Sequence, residues 1–214
     1  MKVYANPGSG SACVEALLAE LELPYERILV KYNEHGIVDP EFRTINPRNQ
    51  IPVLVLDDGR SLTETKAILL YLADQHPESQ LAARSGTFAR AKLEQWMSFV
   101  LANIYEGELR KNYPHRYVNG DWESVEEVAT SFVMNNYAIL EQACSDDLYF
   151  FGDRLSVLDI YLWMFINWFE TVQEIRIACP KMVAIAERVM NRPKITAIHN
   201  QNFGPELGWS EVVV

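Results

Sequence analysis

Two hydroxyl side chains and a carboxylate, Thr63, Thr65 and Glu64, lie where the sequence predicts the start of a helix. The first turn of a helix leaves backbone N–H groups without partners, and such groups beside hydroxyls suit a carboxylate ligand. The same residues are compatible with an ordinary helix cap, in which Glu64 is well placed for the helix dipole. Taken alone, this segment favours the cap, and its neighbours decide between the two interpretations.

The residues before this helix predict a short strand that begins at a proline. Pro52 precedes the apolar run 53–56, and Asp-Asp-Gly at 57–59 is a hairpin signal. Because proline cannot donate a hydrogen bond to a sheet, Pro52 fits a sheet edge, a first strand position or a cis turn. A cis bond there would leave the backbone of Val53 free to pair with something other than a strand. The strand and the helix start at 63–65 together indicate a receptor for a peptide-shaped ligand.

The whole segment 45–74, which reads INPRNQIPVLVLDDGRSLTETKAILLYLAD, resembles the glutathione-binding half of the cytosolic glutathione transferases. The matching elements are I-N-P-x-x-Q-I-P-V-L and D-D-G-x-x-L-T-E-T/S-x-A-I-x-x-Y-L. The match is long and contains rare pairings, so it is specific for the fold and less specific for the activity. In this context ligand binding replaces capping as the favoured interpretation of 63–65.

The resemblance also implies which residues bind glutathione. In that family the residue after the cis-proline exchanges backbone hydrogen bonds with the cysteinyl unit, and an acid–hydroxyl pair holds the γ-glutamyl end. Carried onto this chain, the expected binding residues are Gln50, Pro52, Val53, Glu64 and Thr65. The family usually has serine where this chain has Thr65, and threonine keeps the hydroxyl.

The predicted elements place this receptor in a thioredoxin-like domain. Strands are expected at 2–5 and 25–30, a helix from Ser11, and a second helix opening at 39–41. With the hairpin and helix of the matched segment, the order becomes β-α-β-α-β-β-α by about His76. This order predicts an α/β domain.

The remainder of the chain reads as helical. Apolar residues recur every three or four positions over 89–109 and 124–143. Ser156 and Asp159 have capping-box spacing and match the family's buried capping motif, so their expected role is structural. The resemblance implies a thioredoxin-like glutathione-binding domain at 1–78 and an all-α domain at 87–214 that carries the electrophile pocket.

Chemistry is expected where the first turn meets the first helix, near Ser9 and Ser11. A cysteine thiol has a pKa near 8.5, and its thiolate is the reactive form. A serine there would donate its O–H to the sulfur while the thiol proton leaves to water, which is preorganised electrostatic stabilisation. Ser11 also fits a helix N-cap and Ser9 also fits turn filler, so both are expected as candidates, with Ser9 slightly favoured.

Two departures from the bacterial beta class bear on the activity. That class normally has cysteine where this chain has Gly10, and often a histidine–lysine pair where this chain has Tyr105 and Glu106. Cys13, two residues into the helix, is expected to be buried and structural. Tyr105 and Tyr113 are the expected electrophile-pocket residues; His115 and Trp168 are weaker candidates, and Trp168 favours core packing.

Composition limits the partners. The formal net charge is −10 with scattered Lys and Arg, which argues against nucleic acid. No apolar run approaches the ~20 residues of a membrane span and no signal-peptide pattern appears, so a cytoplasmic protein is expected.

Cys13, Cys144 and Cys179 show neither disulfide nor zinc spacing, and no metal is expected. The resemblance implies a homodimer.

The leading hypothesis is a glutathione transferase that conjugates the glutathione thiolate to small hydrophobic electrophiles, with glutathione as co-substrate. Isomerisation, dehalogenation and peroxide reduction use the same receptor and stay open. Two alternatives come from other classes: a non-catalytic transferase-like interaction module, and a glutathione-dependent thiol-disulfide oxidoreductase, for which Gly10 supplies no cysteine.

Overall fold

The computed structural model describes residues 1–33, 36–169 and 172–204, and within them the first 75 residues form an α/β domain. Its strands are Lys2–Ala5 (β1), Glu26–Leu29 (β2), Tyr32–Asn33 (β3), Gly36–Ile37 (β4), Val53–Val55 (β5) and Ser61–Leu62 (β6). Its helices are Ser11–Glu20 (α1), Phe42–Ile45 (α2) and Thr65–Gln75 (α3). The thioredoxin-like order is confirmed, with one addition. The hairpin of β3 and β4 has two residues per strand, which is too short to give a period-two pattern.

The main sheet has the strand order β2-β1-β5-β6. β1 runs parallel to β2 and antiparallel to β5, and β6 returns antiparallel to β5. Residues 11–18 of α1 are all buried, because α1 packs against α3 and against the helices Val157–Ile166 and Thr196–Phe203 of the second domain.

Helix α2 begins at Phe42 rather than at 39–41, where the sequence predicted a helix start. The Asp39 carboxylate instead accepts from the Glu41 N–H at 2.9 Å, which holds 39–41 as a turn.

The second domain is helical. Its helices are Phe88–Phe99 (α4), Glu106–Asn112 (α5), Trp122–Ala143 (α6), Val157–Ile166 (α7), Val172–Ala178 (α8), Pro180–Met190 (α9) and Thr196–Phe203 (α10). The helical segment expected over 89–109 is confirmed, since α4 continues without a break into a π-helical turn at Val100–Tyr105 and then into α5. The sequence did not predict the π-helical turn. The fold is therefore an α/β thioredoxin-like N-terminal domain followed by an all-α C-terminal domain.

Helix α7 is the centre of the second domain, and every one of its residues is buried. Its start is capped as the sequence predicted. The Asp159 carboxylate accepts from the Ser156 N–H and hydroxyl, both at 2.7 Å, and from the Phe150 N–H at 2.8 Å. Burial raises the pKa of Asp159 to about 6, although these donors oppose the shift.

Polar contacts join the two domains beside this core. Glu15 on α1 is fully buried and pairs with Arg27 of β2 at 2.7 Å, and the Asn202 amide of α10 reaches the same carboxylate. The Trp168 indole N–H donates to the carbonyl of Gly8 at 2.7 Å. These contacts hold the turn before α1 against the helical domain. Among the helices of the described ranges, none is both long enough and apolar enough to cross a membrane.

Candidate active site

The residues that the sequence assigned to peptide recognition lie at the start of β5 and at the start of α3. The Ile51–Pro52 peptide bond is cis, and Pro52 and Val53 are buried. Val53 pairs with Tyr4 of β1 on one side, whereas the ladder from β5 to β6 joins only Leu54 and Val55. The backbone of Val53 therefore has a strand partner on one side only within the described residues.

Helix α3 begins next to this strand with an unusual backbone at Glu64. Glu64 is the N-cap residue, is exposed, and has φ 65° and ψ 110°. A residue with a Cβ adopts a positive φ only at a cost of about 1–3 kcal/mol, and such residues cluster at functional sites. The buried Thr65 follows as the first helical residue, at 5% exposure.

The capping interpretation of this helix start is not supported by the geometry. Glu64 makes no side-chain cap hydrogen bond, and within the described part of the chain no side-chain hydrogen bond of Thr63 or Thr65 is present. Among the described residues, the first turn of α3 therefore has no side chain that caps its N–H groups, and the Thr65 hydroxyl is not used by the local backbone. Gln50, two residues before Pro52, has an exposed side chain and a carbonyl that accepts from the buried Asn46 amide at 2.7 Å.

Ser9 lies in the turn before α1 and Ser11 is the first residue of α1, and their hydroxyls bond to each other at 3.0 Å. Ser9 Oγ also donates to the Asn6 carbonyl at 2.7 Å and accepts from the Ser11 N–H at 3.2 Å. Ser11 Oγ donates to the same carbonyl at 3.2 Å and is fully buried. A serine has one O–H to give. Both serine protons are therefore used inside the turn in this arrangement.

Gly10 lies between the serines and faces the peptide receptor. A Cβ placed on Gly10 would lie 3.4 Å from Pro52 Cδ, 3.5 Å from Thr65 Oγ1 and only 2.5 Å from the hydroxyl oxygen of Tyr105. The turn, the cis-proline and the start of α3 thus meet at Gly10, and a tyrosine of the helical domain reaches the same point. No local pattern in the sequence signals this contact, because Gly10 and Tyr105 are far apart along the chain.

Tyr105 ends the π-helical turn and is held by aromatic rings of the helical domain. Its ring lies 5.6 Å from Phe165, 5.4 Å from Trp168 and 6.4 Å from Tyr161, measured between centroids. Burial raises the pKa of Tyr105 above its ordinary value, so its hydroxyl stays protonated. Trp168 is half-buried and connects this cluster to Gly8, which is more specific than the core packing that the sequence favoured.

The other expected pocket residues lie farther out. Tyr113 is 40% exposed and stacks with the Arg116 guanidinium at 4.0 Å, and His115 is exposed beside it. An apolar groove of about 390 Å³ lies on α6, lined by Val125, Val128, Ala129 and Phe132 among others. Neither Tyr105 nor Tyr113 lines that groove.

Cys13 is fully buried, as the sequence predicted, and its thiol donates to the Gly10 carbonyl at 3.3 Å. Burial raises the pKa of the Cys13 thiol, which keeps it protonated and unreactive. Over residues 1–33, 36–169 and 172–204, no group of three or more His, Cys, Asp or Glu side chains is arranged to hold a metal ion.

A thioredoxin-like domain with a cis-proline strand and an open helix start, joined to an all-helical domain, defines the class of cytosolic glutathione transferases. Residues 4–80 match the family model of the glutathione S-transferase N-terminal domain, and residues 125–188 match that of the C-terminal domain. The chain belongs to the glutathione S-transferase family.

Solved and curated relatives agree with this assignment. A beta-class glutathione S-transferase of Sphingomonas chungbukensis is 31% identical, with a TM-score of 0.80 over 92% of this chain and 96% of its own. A sphingomonad glutathione S-transferase complexed with glutathione is 30% identical, with the same TM-score and the same coverage. The disulfide-bond oxidoreductase YfcG of Escherichia coli is 29% identical over 89% of this chain and 90% of its own length.

Proposed function

We propose that this protein conjugates the glutathione thiolate to small hydrophobic electrophiles. The observation that carries the proposal is the open receptor formed by the free side of Val53 and the uncapped start of α3 at Glu64 and Thr65. Glutathione would lie across Pro52 and Val53 with its γ-glutamyl end at Glu64 and Thr65. Gln50 would border the cleft. The complex of the sphingomonad relative with glutathione supports this ligand.

The sulfur of a ligand held this way would lie near the start of α1. The expected donors there are Ser9 and Ser11, and each would have to release the Asn6 carbonyl to donate to a thiolate. Conjugation then forms a bond between the sulfur and an electrophilic carbon, and the leaving group departs with its bonding pair. Proximity and stabilisation of the anion supply the rate enhancement.

The second substrate would enter from the helical domain. Tyr105 and Tyr113 are the proposed pocket residues, and the rings of Phe165 and Trp168 beside Tyr105 make that side of the cleft apolar. The domain limits 1–78 and 87–214, the homodimer and the cytoplasmic location remain predictions of the family resemblance. Detoxification is the corresponding proposed role.

A thiol-disulfide oxidoreductase is the second candidate, because YfcG is a relative. It is less favoured on geometric grounds. Position 10 is glycine, and Cys13 is buried with its thiol bonded to a carbonyl. Turnover of a disulfide substrate that Cys13→Ala abolishes, without loss of folding, would favour this candidate instead.

Binding and turnover test the proposed function directly. The wild-type protein is expected to be retained on immobilised glutathione and to conjugate glutathione to chlorodinitrobenzene. Glu64→Gln should weaken glutathione binding about tenfold, because it removes a charged partner of the γ-glutamyl amine. Glu123→Gln, an exposed glutamate in the first turn of α6, is the matched control and should leave the affinity unchanged.

Three results would contradict the proposal. Failure of the wild-type protein to bind glutathione in calorimetry would remove its basis. Binding without turnover of a panel of electrophiles would favour the non-catalytic module. Equal loss of affinity in the Glu64 and Glu123 variants would show that the receptor lies elsewhere.

A further inference from the structure

We propose that the Tyr105 hydroxyl, supplied by the helical domain, is the hydrogen-bond donor to the sulfur of bound glutathione in the space above Gly10. This inference rests on the proposed function, since it needs glutathione in the cleft. It assigns a catalytic role to a residue that the sequence placed in the electrophile pocket.

The first argument is the position of the hydroxyl. Tyr105 Oη lies 2.5 Å from the point that a Cβ of residue 10 would occupy, and that point is 3.4 Å from Pro52 Cδ and 3.5 Å from Thr65 Oγ1. A cysteinyl unit paired with the backbone of Val53 would direct its side chain toward this convergence. The beta class resembled by this chain normally has its own cysteine at this position. Here the hydroxyl of Tyr105 fills the space that such a side chain needs.

The second argument is the availability of the proton. Within the described residues the Tyr105 hydroxyl has no hydrogen-bond partner, whereas Ser9 and Ser11 both donate to the Asn6 carbonyl. A donor without another acceptor stabilises an anion without first breaking a bond. Burial also keeps the Tyr105 hydroxyl protonated, so it acts as a donor and not as a base.

The third argument is that the hydroxyl is held in place. The ring is packed by Phe165, Trp168 and Tyr161, and the Trp168 N–H is bonded to the Gly8 carbonyl in the turn before α1. Tyr105 also closes a π-helical turn, a feature that redirects side chains and is frequent at functional sites. The helical domain therefore fixes Tyr105 and the turn relative to each other.

The reaction step is balanced as follows. The thiol of glutathione loses its proton to water, and the thiolate accepts a hydrogen bond from Tyr105, which keeps its own proton. With chlorodinitrobenzene, the sulfur forms a bond to the ring carbon and chloride leaves with the electrons of the carbon–chlorine bond. The titratable groups that bear on Tyr105 are Cys13, Tyr32, Glu64 and Tyr113.

The pKa of the bound glutathione thiol is the test. Tyr105→Phe removes one oxygen and keeps the ring, and it should raise that pKa by about one to two units, because a hydrogen bond to an anion is lost. The pH profile of kcat/KM with chlorodinitrobenzene should shift upward by the same amount. The glutathione Kd should change little at a pH below the pKa of the bound thiol and should weaken above it, because only the thiolate gains the hydrogen bond. Tyr71→Phe, at a half-buried tyrosine of α3, is the matched control and should leave both profiles unchanged.

The serines provide the competing outcome. If Ser9→Ala or Ser11→Ala shifts the thiol pKa and Tyr105→Phe does not, the donor is a serine and the inference is overturned. A purely packing role for Tyr105 would change stability or kcat without moving the pH profile, and that result also overturns it. If the wild-type protein binds no glutathione, the proposed function fails with it, so the two failures are distinguishable.

A second measurement tests the geometry without glutathione. Gly10→Ala should lower Tm by about 5 °C, because its methyl group would meet the Tyr105 hydroxyl. The same substitution in the Tyr105→Phe background should lower Tm by less than half as much. Equal losses in the two backgrounds would show that the hydroxyl does not occupy this space.

Discussion

Two turn-to-helix junctions meet in the candidate site, and their hydroxyl groups are used in opposite ways. At the start of α1, Ser9 and Ser11 bond to each other and to the Asn6 carbonyl. At the start of α3, the Thr65 hydroxyl has no hydrogen bond within the described residues, and Glu64 is exposed with a positive φ. The comparison shows that the local backbone already uses the hydroxyls at the start of α1, whereas the Thr65 hydroxyl stays available.

The largest expected effect concerns a third helix start, that of α7. There both carboxylate oxygens of the buried Asp159 accept hydrogen bonds from Phe150 or Ser156. Because the pKa of Asp159 rises from its ordinary 3.8 to about 6 on folding, the native state binds more protons there than the unfolded chain. Its contribution to stability is therefore complete below about pH 4 and is lost as the pH rises through about 6. This amounts to about 3 kcal/mol at about 1.4 kcal/mol per pKa unit.

Denaturant unfolding of the wild-type protein and of Asp159→Asn across this pH range measures the effect, since asparagine does not titrate. The stability advantage of the wild type should shrink as the pH rises. Asp121→Asn at the exposed start of α6 is the control with the opposite sign. The Ser124 side chain and N–H lower the pKa of Asp121, so its contribution is lost as the pH falls. The same pH trend in both pairs would contradict the distinction between a buried and an exposed cap.

Two substitutions, one at the start of α1 and one at the start of α3, should have opposite effects on stability and on glutathione affinity. Ser11→Ala should lower the free energy of unfolding by about 1–2 kcal/mol, because it leaves a buried turn short of a hydrogen bond, and should retain glutathione affinity. Thr65→Val should do the reverse, with glutathione bound about tenfold more weakly and stability nearly unchanged. Calorimetry and urea unfolding measure the two quantities. If Thr65→Val destabilises the fold as much as Ser11→Ala does, the two helix starts do not differ in how they use their hydroxyls.

The smallest effect on the free energy of unfolding is expected when the strained positive φ of Glu64 is relieved by glycine. Glu64→Gly should raise the free energy of unfolding by about 0.5–1 kcal/mol, since glycine adopts a positive φ without a Cβ penalty but is more flexible when unfolded. Glutathione affinity should fall in the same variant. Gln80→Gly relieves a similar φ of 58° outside the site but also removes an exposed hydrogen bond from Arg154, and it should leave the affinity unchanged. Loss of stability in Glu64→Gly would mean that the carboxylate supports the fold and not the ligand.

Much of the α/β domain was predictable, because its signals are local. The strand 2–5, the helix start at Ser11 and the cis turn option at Pro52 each follow from residue types within a few positions of each other. The capping box of Ser156 and Asp159 was equally visible. The hairpin of β3 and β4 and the π-helical turn were not, since two-residue strands and a single widened turn leave no distinct periodicity.

By itself the sequence determined the family and the two-part architecture, and it predicted the residues of the proposed peptide receptor, because these depend on short-range patterns and on one long motif. Only the tertiary structure decided which hydroxyl is free. The serine protons are consumed by a carbonyl a few residues away, and Tyr105 is brought to Gly10 by packing across the domain boundary. Hydrogen-bond satisfaction and contact between distant segments are properties of the folded chain, and no spacing of residues records them.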